Sequence, residues 1–430
     1  MNKSKEIQNK KLNARLYPIY KMISWDLLFY YSIIYLFLTQ AKNFSASQIL
    51  LSEAFFTASC LILQIPIGLL VDRFGKKNSL VFANGCMCVF IVILLLVQNY
   101  THLLIAFFVD AIGYVIKGIC ETNILYDSLP RGKKRGGLYS AIDGIGSARY
   151  YISDAITSLI AGFAFVVSPY LPIILCLIGN VFATILSTRF RHTKMPLEEQ
   201  DIRTGAREYF RQLKDATKFA ITSKRMLCLL MFFGLISGLT YNLTTFRSGV
   251  LDQIKLPEQY FGIVFAFIQI AAAICARIQN LIHKKFRNKT LSILGIPMTL
   301  SLILIGTLAT GNVGNIRTVL IICLFILTGG IKGAHNVLTY RYLNNFTNRE
   351  IRTKLATVRN IVYNIFTICI SLFGAWLLSF TNASNTIMVV GVISTLLLIL
   401  LLYYMKDKVG LTPEKYTDED LKYSHLINMK

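Results

Sequence analysis

The sequence has few charged residues for its length. Only 16% of its 430 residues are Asp, Glu, Lys or Arg, whereas soluble proteins carry about 25%. Long apolar runs take their place, and the mean hydropathy is +0.54. A run of about 20 apolar residues is long enough to cross the hydrocarbon core of a bilayer as a helix. The composition therefore indicates an integral membrane protein.

Several other patterns are missing. The ten-residue alternation of membrane barrels is absent, so we expect the spans to be helices. The nine cysteines stand singly inside apolar runs without any CxxC pair, which argues against a metal site or a disulfide framework. We find no nucleotide-binding loop, metal cluster or nucleophile constellation. The sequence therefore predicts neither an enzyme nor a cofactor.

Twelve apolar stretches have the length of membrane spans. We predict an all-α integral membrane protein with two pseudo-symmetric six-helix bundles, at 17–189 and 226–405. A cytoplasmic segment at 1–16, a central loop at 190–225 and a tail at 406–430 complete the chain. The predicted spans are 17–40, 47–71, 79–98, 102–126, 137–166, 169–189, 226–248, 258–282, 290–310, 316–341, 353–379 and 384–405.

The net charge of +23 is distributed unevenly over the breaks between spans. Lysines and arginines gather before the first span and after the second, fourth, sixth, eighth and tenth. The opposite set of breaks holds only Lys42, Lys255 and Arg317. Because cytoplasmic loops of membrane proteins are enriched in basic residues, we expect both termini and the central loop in the cytoplasm, with the chain in the cytoplasmic membrane. This distribution argues against nucleic-acid binding.

The central loop contains one periodic segment, Ala206–Thr222. Apolar residues recur there at helical spacing among basic ones, which predicts an amphipathic helix on the inner membrane surface. A plain linker between the two halves is an equally good interpretation.

A short sequence repeat supports duplication of the two halves. An Ile-Lys-Gly triplet occurs at 116–118 in the fourth span and again at 331–333 in the tenth. Lysine is rare inside membrane spans, and these two lysines occupy equivalent places. In transporters built from two parallel repeats, the solute site lies near the bilayer midplane at the repeat interface.

The loop between the second and third spans carries a motif. Gly68–Lys77 reads GLLVDRFGKK, which resembles the signature loop of the major facilitator superfamily, G-x-L-a-D-r-x-G-r-k. Phosphate binding is a poor alternative, because the glycine and Ser/Thr positions of a P-loop are not met. The resemblance extends to the twelve spans and the long central loop, and it implies the fold of that family.

The resemblance also implies a cytoplasmic gate. In this family the motif aspartate and its basic neighbours hold the two halves together in the outward-open state. Carried over, Asp72 would meet the start of the eleventh span near Arg352. Arg73 or Lys77 would meet Asp127 at the inner end of the fourth. We expect Gly68 to permit close helix approach and Gly75 to permit the tight turn.

Two family patterns are missing. The fourth span has Asp110 and Lys117 where many proton-coupled members carry an arginine, and the fifth lacks the Gly-Pro pair of drug–proton exporters. Both absences argue against drug export and against the usual form of proton coupling.

Ionisable residues within the spans are the candidate functional residues, because a charge at helix centre costs roughly 2.5–3.5 kcal/mol on insertion scales. Asp110, Lys117 and Glu121 share one helical face, and Asp26 lies in the first span with Tyr30 and Ile33 expected along its face. Pairing among these charges to hold helices together is the alternative role. The candidate substrate and proton-coupling residues are Asp26, Asp110, Lys117, Glu121, Arg149, Asp154 and Lys332.

The signs of these charges differ between the halves. Acids occur within the spans of the first half only, whereas the second half offers cations and a histidine. We therefore expect a monomeric secondary transporter that moves a small organic solute with protons by alternating access. The alternatives are a non-transporting receptor or scaffold on the same fold, or a drug exporter.

Overall fold

The computed structural model describes residues 3–130, 135–191, 211, 214–215, 217–218, 220–222, 224–286, 289–345 and 349–406. Within these ranges the chain is helical and contains no β-strand. The helices are α1 Lys3–Ser24, α2 Ile34–Leu36, α3 Ala46–Phe74, α4 Lys76–Leu96, α5 Tyr100–Ser128, α6 Arg135–Val167, α7 Leu171–Thr188, α8 Lys224–Gln253, α9 Glu258–Phe286, α10 Thr290–Leu308, α11 Asn315–Asn345, α12 Arg349–Leu378 and α13 Ala383–Met405. A π-helical turn, Phe37–Ala41, follows α2 directly.

Eleven of these helices are long and apolar enough to cross a membrane, judged over the described residues. They correspond to the second to twelfth predicted spans. The first prediction, one helix over 17–40, is wrong in detail. Helix α1 ends at Ser24, and helical structure resumes only at Ile34.

The break after α1 has a local cause. The Asp26 carboxylate accepts a hydrogen bond from the backbone N–H of Leu27, 2.9 Å away. Short polar side chains that bond nearby backbone compete with helix formation in this way. Phe29 then adopts φ of +64°, in the left-handed region, which a continuous helix does not allow. Tyr30 and Ile33 therefore do not continue a helical face from Asp26.

The helices divide into two units, Met1–Thr204 with Pro257–Ala266, and Gly205–Leu256 with Phe267–Lys430. In the first unit, α1 packs on α5, α6 and α7, and α4 packs on α5 and α7. In the second, α8 packs on α11, α12 and α13, and α10 packs on α11 and α13. Helices at equivalent places in the two halves therefore make equivalent contacts, as a duplicated sequence requires.

Most of the central loop and the whole of the tail after Lys406 lie outside the described residues. Within Ala206–Thr222, the described positions 211, 214–215, 217–218 and 220–222 are helical. The membrane-surface position expected for this segment stays a prediction.

The repeated Ile-Lys-Gly triplet has different packing in the two halves. At Gly333 of α11, an added Cβ would lie 2.1 Å from the backbone oxygen of Ala272 in α9. At Gly118 of α5, no described atom lies within 4 Å of the same position. Only the second copy of the glycine is therefore required for helix contact.

We expect Gly333→Ala to destabilise the protein by about 3 kcal/mol, since the obstructing atom is backbone and the two helices would have to separate. Thermal unfolding of the detergent-solubilised variant measures the effect. Gly118→Ala is the matched control and should unfold at the parental temperature. Equal midpoints for the two variants would contradict the packing difference.

Candidate functional site

A cluster of acids and tyrosines surrounds the break after α1. Asp26 is half-buried there, and Tyr31 donates a hydrogen bond to its Oδ1, 2.8 Å away. Asp110 of α5 is 8% exposed, and the two carboxylates lie close enough to interact electrostatically. Asp110 makes no hydrogen bond to a described residue. The break thus brings two acids together that a straight first helix would have aligned differently.

The face of α5 continues this cluster toward its C-terminal end. Lys117 and Glu121 are both buried, and their charged groups lie 3.9 Å apart, one helical turn from each other. Lys117 also interacts electrostatically with Asp110. Ser24, the last residue of α1, donates a hydrogen bond to Glu121 at 3.3 Å. Lys117 is therefore shared between two carboxylates of its own helix.

A second ion pair joins α1 to α6. Nζ of Lys21 lies 2.5 Å from Oδ1 of Asp143, and the Tyr17 hydroxyl donates to the same oxygen at 2.8 Å. The Lys21 side chain is only 5% exposed, and Lys21 also interacts electrostatically with Glu121. Sequence reasoning missed this pair, because the pairing depends on how α1 and α6 cross.

Aromatic rings line the same region. The Trp25 ring lies 5.0 Å from Tyr150 and 5.5 Å from Tyr151, both edge-to-face, measured between ring centroids. The Lys21 ammonium lies 4.4 Å from the Trp25 ring centroid, in cation–π range. Sequence reasoning missed the two tyrosines of α6. The sequence feature that could have identified them is the adjacent Tyr150-Tyr151 pair next to the candidate residue Arg149.

Acids outnumber cations in this cluster. Four carboxylates, those of Asp26, Asp110, Glu121 and Asp143, face two ammonium groups, Lys21 and Lys117. A buried carboxylate that is incompletely neutralised is costly in its charged form, and a bound proton or cation removes that cost. The first unit therefore has the chemistry to hold protons or a cationic group.

The other two candidate residues of the first half, Asp154 and Arg149, have different surroundings. Asp154 of α6 is 3% exposed and interacts electrostatically with Tyr150 and Tyr151. Arg149 is exposed and makes no hydrogen bond or ion pair to any residue that the structure describes. The alternative role, in which Arg149 pairs with an acid of the fourth span to hold helices together, is therefore not seen among the described residues.

The second unit presents a basic counterpart. His335 of α11 is 2% exposed, and its Nε2 lies 2.8 Å from the Ser237 hydroxyl of α8. The Phe233 ring lies 5.4 Å from the imidazole. Arg359 of α12 interacts electrostatically with His335, and Lys332 is exposed one turn earlier on α11. These groups provide positive charge and hydrogen-bond donors without an acid among them.

The motif loop is a tight connection between α3 and α4. Gly75 ends α3 and precedes Lys76, the first residue of α4, and its φ of +83° favours glycine. Nζ of Lys76 lies 2.5 Å from Oδ2 of Asp127 near the end of α5. The sequence suggested Arg73 or Lys77 as the partner of Asp127, and the structure pairs Asp127 with Lys76, the first residue of α4.

The structure does not show the other contacts that were expected of the gate, among the residues it describes. An added Cβ at Gly68 would meet no described atom within 4 Å, so the structure shows no close helix approach there. The side chains of Asp72 and Arg352 lie outside the described residues. Their expected contact stays a prediction.

The sequence itself identifies the family of this chain. Residues 22–325 match the family model of the Major Facilitator Superfamily. The chain belongs to the Major Facilitator Superfamily. The resemblance inferred from Gly68–Lys77 is thereby confirmed, and no curated protein sequence matches the chain.

Solved transporters of this superfamily share its fold. The nucleoside transporter NupG is 13% identical with a TM-score of 0.71, over 93% of this chain and 99% of that one. The D-xylose–proton symporter is 12% identical with a TM-score of 0.68, over 93% and 97%. The peptide transporter POT in complex with sulfate is 12% identical with a TM-score of 0.67, over 95% and 96%. Identities this low show the fold alone.

Membership and fold together make this chain a multi-pass membrane transporter rather than an enzyme. The predicted all-α architecture of the superfamily is confirmed. The roles of the individual site residues remain proposals.

Proposed function

We propose that this transporter moves a small organic solute by alternating access, with protons as the coupling ion. One observation carries the proposal: Asp26 and Asp110 lie together in the first unit, the lysine that interacts with Asp110 is shared with Glu121, and acids outnumber cations among the described residues of this cluster. Helix packing alone does not require this arrangement, because apolar residues hold helices together without the cost of burying charge. A buried carboxylate in such a place can bind and release a proton.

The basic groups of the second unit support a complementary role in solute binding. Lys332, Arg359 and the Ser237–His335 pair offer positive charge and donors, which suit a carboxylate or phosphate oxygen of a solute. The solute we propose is therefore anionic or zwitterionic, and its anionic part binds these groups of the second unit.

The first test is a screen of anionic, zwitterionic and cationic solutes on purified protein by thermal shift at two pH values. Ligand that binds only the folded state raises the unfolding temperature. Solutes that bind are then assayed in proteoliposomes with and without an imposed pH gradient. Binding without any transport would favour a receptor, and gradient-independent transport would refute proton coupling.

We also propose that the motif loop is a gate on the cytoplasmic side. The glycine turn at Gly75 and the Lys76–Asp127 pair hold this loop in a fixed conformation at the ends of α3, α4 and α5. An aspartate at the end of α3 is then available to interact with the positive N-terminal end of another helix.

If Asp72 has this role, Asp72→Asn removes the charge while keeping the size of the side chain. We expect transport to fall while the amount of folded protein in the membrane stays at the parental level. Uptake and surface expression measured on the same cells check this. Glu258→Gln, which removes an acidic charge in the first turn of α9, outside the motif, is the control, and it should transport normally. Parental uptake by Asp72→Asn would rule out the gate.

We propose, from the charge asymmetry, that both termini and the central loop lie in the cytoplasm. In a variant without native cysteines, we expect an impermeant thiol reagent added outside to label Asn312→Cys, between α10 and α11. Lys289→Cys, between α9 and α10, should be labelled only after the cells are opened. Both positions are exposed. The reverse pattern would invert the topology.

A further inference from the structure

A basic cavity lies at the start of α1, away from the acid cluster. Its volume is about 660 Å³, and three of its lining residues are cations while none is an acid. The lining residues are Gln8, Asn9, Lys11, Leu12, Arg15 and Arg191. The loops at this end of the unit belong to the lysine- and arginine-rich set, which we expect on the cytoplasmic side.

The spacing of the α1 residues explains one wall of the cavity. Gln8, Lys11, Leu12 and Arg15 occupy positions i, i+3, i+4 and i+7, and such positions share one face of a helix. The opposite wall is Arg191, three residues beyond the end of α7. Two cations from α1 and one from a distant part of the chain therefore converge on one space.

Buried hydrogen bonds fix the two walls relative to each other. Asn13 is 1% exposed and donates to the backbone oxygen of Arg191 at 2.9 Å, while its Oδ1 accepts from the Arg191 N–H at 2.8 Å. Asn13 also donates to the Ser128 hydroxyl at the end of α5. The neighbouring Phe190 ring is buried edge-to-face against Tyr20, 5.3 Å between centroids. The arginine backbone is thus held in place before any ligand arrives.

Within the described residues, the cations that line the cavity have no acidic partner. Lys11, Arg15 and Arg191 make no ion pair within the part of the chain that the structure describes. The adjacent Lys10, in contrast, is paired with Glu6 at 3.0 Å and does not line the cavity. The residues that line the cavity therefore supply hydrogen-bond donors from two guanidinium groups, one ammonium group and two side-chain amides. None of these lining residues is negatively charged.

We propose that this cavity binds a phosphate group, carried either by an anionic lipid headgroup or by a soluble phosphorylated compound. Arginine pairs with phosphate through two parallel hydrogen bonds, and lysine adds a compact charge. The amides of Gln8 and Asn9 supply further donors. A volume of about 660 Å³ accommodates a headgroup or a small phosphate ester. Clusters of basic residues at the cytoplasmic surface bind anionic headgroups in this manner.

The test uses the full-length protein in dodecyl maltoside, with thermal unfolding as the readout. One arm titrates inorganic phosphate and pyrophosphate against sodium chloride of equal ionic strength. The other adds dioleoylphosphatidylglycerol to the micelles, with dioleoylphosphatidylcholine for comparison. We expect at least one of these probes to raise the unfolding temperature. Phosphatidylglycerol acting alone identifies a lipid site, and phosphate or pyrophosphate acting identifies a site for soluble phosphate.

Variants decide whether the cavity is responsible. Arg15→Gln combined with Arg191→Gln should weaken the apparent affinity at least about tenfold. Arg15→Lys keeps the positive charge but loses the guanidinium group that forms two parallel hydrogen bonds to phosphate. This variant should weaken the apparent affinity less. Lys10→Gln removes the same charge next to the cavity and should bind as the parent does. The proposal is overturned if no probe stabilises the parent, or if Lys10→Gln loses as much affinity as the double variant.

Discussion

In the Asp110→Asn variant, solute accumulation should no longer respond to a pH gradient. Under the proposed coupling, with one proton per solute, the parental protein would concentrate its solute about tenfold per pH unit, since a tenfold ratio corresponds to about 1.4 kcal/mol. Asparagine keeps the size of Asp110 and removes the group that we propose to hold the proton. The accumulation ratio in proteoliposomes should therefore fall to near one, while solute exchange without a gradient persists.

The stability of the same variant is an internal control. Asp110 makes no hydrogen bond to a described residue, and Lys117 keeps Glu121 as a partner in its absence. The variant should therefore unfold at or above the parental temperature. Gradient-driven accumulation at the parental level would show that Asp110 does not carry the coupling proton. A large loss of stability would instead make it a structural residue.

The Asp143→Asn variant should show the opposite behaviour, with a loss of about 3 kcal/mol in the free energy of unfolding. Its Lys21 partner is 5% exposed and Asp143 itself is 28% exposed, so removing the carboxylate leaves a buried ammonium without its ion-pair partner and the cost lies at the low end of the range for buried pairs. Glu121 interacts electrostatically with Lys21 but forms no ion pair with it among the described residues, so it does not replace the 2.5 Å contact. Unfolding in detergent mixtures of increasing sodium dodecyl sulfate measures the change.

A second substitution distinguishes charge pairing from loss of side-chain packing. Lys21→Met in the Asp143→Asn background removes the unpaired ammonium and keeps most of the apolar stem. Replacing both members of a buried pair by neutral groups is often neutral, so the double variant should recover most of the lost stability. If it unfolds as easily as Asp143→Asn alone, the pair is not what holds α1 against α6.

The span positions were accessible from sequence because they depend on apolar run length alone. The eleven helices α3 to α13 follow the predicted spans closely. The break between Ser24 and Ile34 was not accessible, since residues 27–38 read as one apolar run. Its causes, a side chain bonding its own neighbour and a left-handed Phe29, leave no mark in hydropathy.

The sequence identified individual residues of the candidate site but not the ion pairs that they form. Helical spacing placed Asp110, Lys117 and Glu121 on one face, and the structure buries all three. The Lys21–Asp143 and Lys76–Asp127 pairs depend on crossing angles and on the first residue of α4, which one-dimensional patterns do not contain. The same limit explains why the sequence left open whether Arg149 has an acidic partner.

The interrupted first segment has a consequence for biogenesis. A stretch that leaves backbone groups unbonded is poorly suited to enter lipid alone, because each unsatisfied group costs several kcal/mol in hydrocarbon. The acids and tyrosines that surround this stretch come from α5 and α6, which are synthesised later. We therefore expect the nascent chain to leave its first segment near the translocon until those helices arrive.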